Sequence, residues 1–338
     1  MYKRQAIVGA TGNVGRKIIE ILEKKQINIE NLFLLASKKS EGKKINYNGN
    51  EHIVTDLEKF DFSSVKIAFF AAGSGVAEKW AHIAAEKTIV IDNSKYFRKD
   101  PDIPLIVPEV NSKKLSDVKN KNIIANANCS VIPVVVALKP LHDLYNINRI
   151  VASTYQSVSG AGKSAMDELL SQTKDYFQNK KIDSKNFTKQ MAFNAIPHID
   201  SFLESGYTKE EQKTTDEIKK ILDKKIKVTS TCVRIPVLVS HCISANVEFN
   251  KKCDLDEIRK VLSTSPGCKV IDEHHDGGYI TPVEAEDKFE TFISRIRLDE
   301  SRENTINLWI VSDNLVKGAA LNAVQIAESL ITNDFYGK

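Results

Sequence analysis

The chain is 338 residues long, 42% hydrophobic and 27% charged, which suits two soluble domains of about 150 residues each. Its formal charge of +4 is the small difference between 48 basic and 44 acidic residues; the pairs Lys24-Lys25, Lys38-Lys39 and Lys180-Lys181 are short and scattered, so small anionic ligands fit it and a nucleic-acid partner does not. No apolar run nears the roughly 18 residues of a membrane span, and a strand pattern begins at Gln5 with no charged-then-apolar leader, so a cytoplasmic protein without a membrane partner is expected.

Taken in chain order, Ala6-Ile7-Val8-Gly9 reads as a strand entering a glycine turn, and Val14 to Lys24 as a helix with Val14, Ile18, Ile19 and Leu22 on one face. Leu32 to Ala36, Ile67 to Ala71 and Thr88 to Asp92 read as further buried strands, with a helix from about Gly75 to Glu86 between the last two. Ile123 to Asn126 adds one more strand. Near-continuous apolar strands separated by helices predict a parallel sheet covered on both faces. From about residue 130 the pattern changes: Arg149 to Val158, Lys227 to Val237, His241 to Phe249, Phe292 to Leu298 and Asn304 to Val311 read as strands. Helices interrupt them near 161–178, 209–223 and 254–262. Without regular crossovers these strands predict an antiparallel or mixed sheet. The expected class is α/β: a Rossmann-type parallel-sheet dinucleotide-binding domain over 1–130, an α+β domain with a mixed sheet over 131–314, and a last helix, 315–338, packing back on the first.

Gly9-Ala10-Thr11-Gly12-Asn13-Val14-Gly15 follows the first strand and opens the first helix. Glycines there permit a tight turn and bring backbone N–H groups and the helix N-terminus against a pyrophosphate, which makes Gly9, Thr11, Gly12, Asn13 and Val14 candidate cofactor contacts. The end of the second strand lacks the acidic residue that holds a ribose 2′-OH in NAD sites. It carries Ser37-Lys38-Lys39-Ser40 instead; hydroxyls and ammonium groups suit a 2′-phosphate, so NADP is expected, with Ser37 and Ser40 as contacts.

The five cysteines, Cys129, Cys232, Cys242, Cys253 and Cys268, are odd in number and lack metal-type spacing, so neither a disulfide framework nor a metal site is expected. Cys129 stands apart within Asn126-Ala127-Asn128-Cys129-Ser130 because it precedes a helix expected over Val134 to Leu144. The positive end of a helix dipole favours a thiolate, and the N–H groups there are expected to hold an oxyanion. A thiolate nucleophile needs a proton partner, and His241, between two strand-like runs, is one of several histidines in the chain able to serve.

Over nearly its whole length the chain resembles the aspartate-β-semialdehyde dehydrogenase family. The stretches that carry the resemblance are Gly9 to Gly15, Asn126 to Ser130, Ser153 to Gly162, Arg234 to His241, Arg295-Ile296-Arg297 and Asp313 to Ala320, in the family's order. The resemblance implies a phosphate-dependent interconversion of aspartate semialdehyde and aspartyl phosphate in lysine, diaminopimelate, threonine and methionine biosynthesis. It implies Cys129 as nucleophile, His241 as acid/base, Gln156 as orienting group and Arg234 as clamp on the substrate carboxylate. By the same resemblance Glu210 meets the substrate amine, Lys213 and Arg98 meet phosphate with Asn128 nearby, and Ser159, Gly160, Gly162 and Asn314 line the nicotinamide. A homodimer joined through the second, catalytic and dimerisation, domain is also implied. The chain departs from the family at Ala127, Pro133 and the flanks of His241, Ser240 and Cys242; none of these is a reacting group. N-acetyl-γ-glutamyl-phosphate reductases use the same cysteine and histidine logic, but Glu210, Lys213 and Arg234 favour a free amino acid.

Overall fold

The computed structural model describes residues 4–332. The chain divides after Ala127 and again after Gly318 into two compact units, the first combining the N-terminal third with the end of the chain. Six residues of the helix expected over 315–338 lie outside the described residues; the described part is one π turn, Val316–Ala320, and a helix, Leu321–Thr332.

In the first unit, β1 (Arg4–Val8), β2 (Asn31–Ala36), β5 (Thr55–Asp56), β6 (Ile67–Phe70), β7 (Ile89–Asp92), β8 (Leu105–Ile106) and β9 (Ile123–Asn126) form one sheet, with a separate hairpin of β3 (Lys44–Tyr47) and β4 (Asn50–Ile53). The sheet order is β5-β2-β1-β6-β7-β9-β8 and every pairing is parallel. Burial on both faces explains the unbroken apolar character of Ile67–Phe70 and Ile89–Asp92. The helix Asn13–Lys24 buries Ile18, Ile19, Ile21 and Leu22 along one stripe. The helix Leu321–Thr332 is fixed by polar bonds inside this unit: Asn322 donates to Asn126 Oδ1 at 2.6 Å and to the Ile106 carbonyl at 3.0 Å. The short strands β5 and β8 and the hairpin escaped sequence reading, because runs of two to four residues carry no usable period.

The second unit holds β10 (Ile147–Gln156), β11 (Lys227–Arg234), β12 (His241–Phe249), β13 (Cys268–Val270), β14 (Thr291–Leu298) and β15 (Thr305–Ser312), in the order β11-β10-β12-β15-β14-β13. β10 pairs with β11 in parallel and with β12 antiparallel, so the sheet is mixed. Along β10, Ile150, Ala152, Thr154 and Gln156 are buried while the residues between them are half-exposed, the period of two expected of a sheet covered on one face. The helices Val131–Tyr145 and Lys209–Ile221 pack on the covered face. Val131–Tyr145 starts three residues earlier than expected, and Pro133 is accommodated in its first turn, where its missing N–H costs nothing.

Two glycines make the first βα turn possible. Gly9 has φ +87°, and a Cβ added at Gly15 would stand 2.2 Å from the Gly9 carbonyl oxygen. Gly15→Ala is therefore expected to lower the free energy of unfolding by about 2–4 kcal/mol, measured by urea denaturation; a loss below about 0.5 kcal/mol would show that the turn is not this tight.

Candidate functional site

In the first unit the βα turn opens onto a cleft of about 710 Å³ lined by Gly9, Thr11, Gly12, Ser37, Lys38 and Trp80, among others. Gly9 N–H donates to the Leu35 carbonyl at 2.8 Å, which ties the turn to β2. Ser37 and Lys38 follow β2 directly, and Lys38–Ser40 forms a short 3-10 turn. Asn13, Val14 and Ser40 are not part of the lining. Sequence reading missed Trp80, Lys79, Asp56 and Glu58, which do line it. β5 pairs with β2 so that Asp56 lies opposite Ala36, and this long-range register brings an acidic group to the strand end that the sequence alone leaves without one. Arg98, also in this unit, donates from Nη2 to the Asn93 carbonyl at 3.0 Å.

The second unit gathers the rest of the candidate residues. In the parallel pair Gln156 lies opposite Arg234. In the antiparallel pair Tyr155 lies opposite Cys242, so β12 begins beside the end of β10. Arg234, Gln156 and His241 therefore reach one edge of the sheet from three adjacent strands. Each is in phase with the buried residues of its strand: Cys232 with Arg234, Thr154 with Gln156, Ile243 with His241. Asn314 follows β15 by two residues and joins them, because Ser312 lies opposite His241.

Cys129 sits in the turn before the helix Val131–Tyr145, with Sγ 3.3 Å from His241 Nε2 and 3.4 Å from Asn128 Oδ1. Three of the helix-start N–H groups are engaged within the turn. Ser130 N–H donates to Asn128 Oδ1 at 3.1 Å, and those of Val131 and Ile132 donate to the Asn128 carbonyl at 2.9 and 3.0 Å. Asn128 thus satisfies the first turn of the helix itself, while the imidazole Nε2 faces the sulfur. Gly318 packs on the other side, where an added Cβ would come within 3.0 Å of Cys129 Cβ; at Gly160 it would come within 3.2 Å of Arg234 Nη1 and 3.3 Å of His241 Nε2. Glycine at 160 and 318 keeps space at the thiol. Gly162, φ +97°, starts the helix Lys163–Phe177.

The charged helix Lys209–Ile221 buries its acids here. Glu210 Oε1 accepts from Asn128 Nδ2 at 2.9 Å and Gln156 Nε2 at 3.4 Å, and Oε2 pairs with Lys213 at 2.7 Å. Lys213 also pairs with Asp200 at 2.9 Å. Burial opposes ionisation of Glu210, but the Lys213 ammonium and these hydrogen bonds hold its pKa below the usual carboxylate range. Burial opposes the charge on Lys213 too, and the two carboxylates raise its pKa nonetheless. Glu210 therefore contributes stability complete above its ordinary pKa and lost as pH falls through its folded value. Lys213 contributes below its ordinary value and loses this as pH rises through the folded one, so the pair is charged throughout the neutral range. Glu217, one turn beyond Lys213, accepts the Asn128 N–H at 2.6 Å and so fixes the residue before Cys129. Glu217 had no sequence signal beyond membership of a charged segment, and Asp200 had none.

His241 is fully buried, and burial together with the Arg234 guanidinium brings its pKa down to about 3. Arg234 is itself buried and donates to the Ser157 carbonyl at 2.6 Å. Ser159 and Asn314 bond each other at 2.9 Å, and Asn314 Oδ1 also accepts from Ser240 N–H at 2.8 Å. By contrast burial pushes the Cys232 and Cys242 thiols up to about 12, and the Glu210 and Glu211 carboxylates add to the rise at Cys232. Among the described residues no cluster of metal-ligating side chains occurs, and no helix is long and apolar enough to cross a membrane.

Residues 4–118 match the family model of the semialdehyde dehydrogenase NAD binding domain, and residues 138–317 that of the semialdehyde dehydrogenase dimerisation domain. Fold and matches together define a two-domain semialdehyde dehydrogenase. The sequence is 48% identical to the aspartate-semialdehyde dehydrogenase of Aquifex aeolicus over 98% of both chains, and 48% identical to that of Rickettsia bellii over 96% and 97%. A crystal structure of aspartate semialdehyde dehydrogenase II from Vibrio cholerae, complexed with ASA, matches with a TM-score of 0.96 at 45% identity, covering 98% of this chain and 99% of that one. The chain belongs to the aspartate-semialdehyde dehydrogenase family.

Ser240 stands at a place with a cost. Its φ of +73° lies in the left-handed region, and its fully buried Oγ has no hydrogen-bond partner among the described residues. A left-handed non-glycine residue costs of order 1–3 kcal/mol, partly offset by the greater unfolded-state freedom of glycine. Ser240→Gly is expected to raise the unfolding free energy by about 1 kcal/mol, read as a higher urea midpoint; a lower midpoint would refute the strain.

Proposed function

We propose that the chain interconverts L-aspartate 4-semialdehyde and L-4-aspartyl phosphate, with NADP and inorganic phosphate, through a thioester on Cys129. The observation that carries the reading is the 3.3 Å approach of Cys129 Sγ to a buried His241 Nε2 in a chain of this family. The cleft of the first unit suits a dinucleotide, with Gly9, Thr11 and Gly12 at the pyrophosphate and Ser37 and Lys38 at the 2′-phosphate. Asp56 and Glu58 bring opposite charge to the same cleft, so the preference for NADP rests on Lys38 and Ser37 outweighing them. A bound nicotinamide supplies the two-electron step, accepting hydride from the aldehyde carbon.

The residues of the second unit divide the remaining work. Arg234 pairs with the substrate α-carboxylate through its planar fork, and Glu210 takes the α-ammonium. Thiolate Cys129 adds to the aldehyde carbon, forming the C–S bond and an alkoxide, which accepts a hydrogen bond from His241 Nε2. Loss of hydride leaves the thioester, with Gln156 orienting its carbonyl. An oxygen of phosphate then attacks that carbonyl, the C–S bond breaks, and Cys129 departs as thiolate. Lys213 is the phosphate cation of this unit and, on the family resemblance, Arg98 that of the first. Substrate binding also adjusts the imidazole: a carboxylate on Arg234 offsets the positive charge that depresses His241 and raises its pKa toward the working range. In the biosynthetic direction, toward lysine, diaminopimelate, threonine and methionine, the same steps run in reverse. A cytoplasmic homodimer is proposed, supported by the half-exposed face of the mixed sheet, which carries Val151, Tyr155, Val233 and Trp309.

A steady-state assay with aspartate semialdehyde, phosphate and either NADP or NAD tests the reading. Phosphate-dependent NADPH formation is expected, with NADP favoured, and Cys129→Ser is expected to lose at least about 10³-fold in kcat while keeping the fold. Turnover of only the N-acetylated glutamate semialdehyde, or wild-type activity in Cys129→Ser, would overturn it.

A further inference from the structure

The charged side chains lining the cleft of the first unit cancel: Lys38 and Lys79 stand against Asp56 and Glu58. A site for a 2′-phosphate gains from a surplus of cations, so the pairing among these four decides what such a phosphate meets. Lys38, in the short turn after β2, has no carboxylate partner among the described residues. Lys79 is held: its Nζ lies 3.1 Å from Glu58 Oε1 and 5.0 Å from the centre of the Trp80 ring.

Asp56 is committed within its own segment. It is buried, and its Oδ1 accepts the Glu58 N–H at 3.3 Å, capping the short turn Leu57–Lys59. β5 pairs in register with the end of β2 and packs against the turn Lys38–Ser40. The segment that carries Glu58 therefore runs beside the one that carries Ser37 and Lys38.

A carboxylate at this place acts twice against a 2′-phosphate. It opposes the phosphate charge directly, and it occupies Lys79, the second cation of the lining. The side chains of Lys79 and Glu58 are 63% and 66% exposed, so their pair is weak and readily exchanged for another partner. A dinucleotide with a free 2′-hydroxyl meets neither effect.

We propose that Glu58 is a specificity-determining residue of the cofactor cleft, restraining the preference for NADP over NAD by holding Lys79 from the 2′-phosphate and by opposing its charge. The proposal rests on the reading of this cleft as a dinucleotide site given above. Lys38 and Ser37 supply the attraction to the 2′-phosphate, and Glu58 sets how far that attraction discriminates.

Isothermal titration calorimetry of the full chain with NADP or NAD, in the absence of substrate, reads the two affinities without turnover. Glu58→Gln keeps the size of the side chain and the N–H that Asp56 accepts, and removes the charge. It is expected to tighten NADP about 5-fold at low salt and to leave NAD within about 2-fold. In about 1 M NaCl, where exposed charges are screened, the gain is expected to fall below about 2-fold. Adding Lys79→Met to Glu58→Gln is expected to remove at least about half of the gain, a coupling that a merely structural role of Glu58 does not produce. Equal tightening of both dinucleotides, or unchanged NADP affinity in Glu58→Gln when the parent prefers NADP, would overturn this proposal alone. A parent that favours NAD, with NADP still tightened selectively in Glu58→Gln, would support it and overturn the NADP preference; binding of neither dinucleotide would overturn both.

Discussion

A single desolvated imidazole sets the terms for the whole second unit. His241 has no solvent contact, so its charge state is decided by what the fold places around it and not by the medium. Arg234 lies close enough to oppose protonation, yet the clamp proposed for the substrate carboxylate requires that same guanidinium. In the proposed mechanism the imidazole responds to the ligand: once a substrate carboxylate neutralises Arg234, proton uptake at His241 would become less costly. A charge effect of this kind is strong only because water is excluded, which explains why the strands ending at Arg234 and Gln156 and the strand beginning at His241 are held in phase with the buried face.

The second constraint is the burial of carboxylates on the helix Lys209–Ile221. Glu210, Glu211 and Glu217 are all buried, and a buried carboxylate needs donors. Glu211 finds them in the capping box with Thr208 and in the Cys232 N–H of β11, at 2.7 and 3.0 Å. Glu217 and Glu210 find theirs on Asn128, from its backbone and side chain respectively. The helix is thereby bonded both to the sheet and to the turn that presents Cys129. The thiol is positioned by long-range hydrogen bonds as well as by the start of its own helix.

Much of this was legible in the sequence. The parallel strands announced themselves as short apolar runs, and β12 was placed from His241 to Phe249 because its alternation is clean. Cys129 and His241 entered as candidates from the residues themselves, Gln156, Arg234 and Glu210 from a resemblance spanning several separate motifs, and the structure brings all five to one place. What stayed hidden depends on register or on hydrogen-bond direction. Asp56 reaches the nucleotide cleft only through the pairing of β5 with β2. Glu217 and Asp200 matter because of which groups they face across the fold. The helix-start N–H groups were expected to await an oxyanion, and Asn128 already occupies those of Ser130, Val131 and Ile132; a short side chain folding back on its own turn leaves no periodicity to read.

The account stands or falls on a covalent acyl group at Cys129. The direct measurement is mass spectrometry of the protein quenched in acid after mixing with aspartate semialdehyde and NADP without phosphate. The account predicts an aspartyl adduct on the peptide containing Cys129, discharged when phosphate is added before quenching. NADPH formation with an unmodified Cys129, or an adduct located on any other residue, would contradict it.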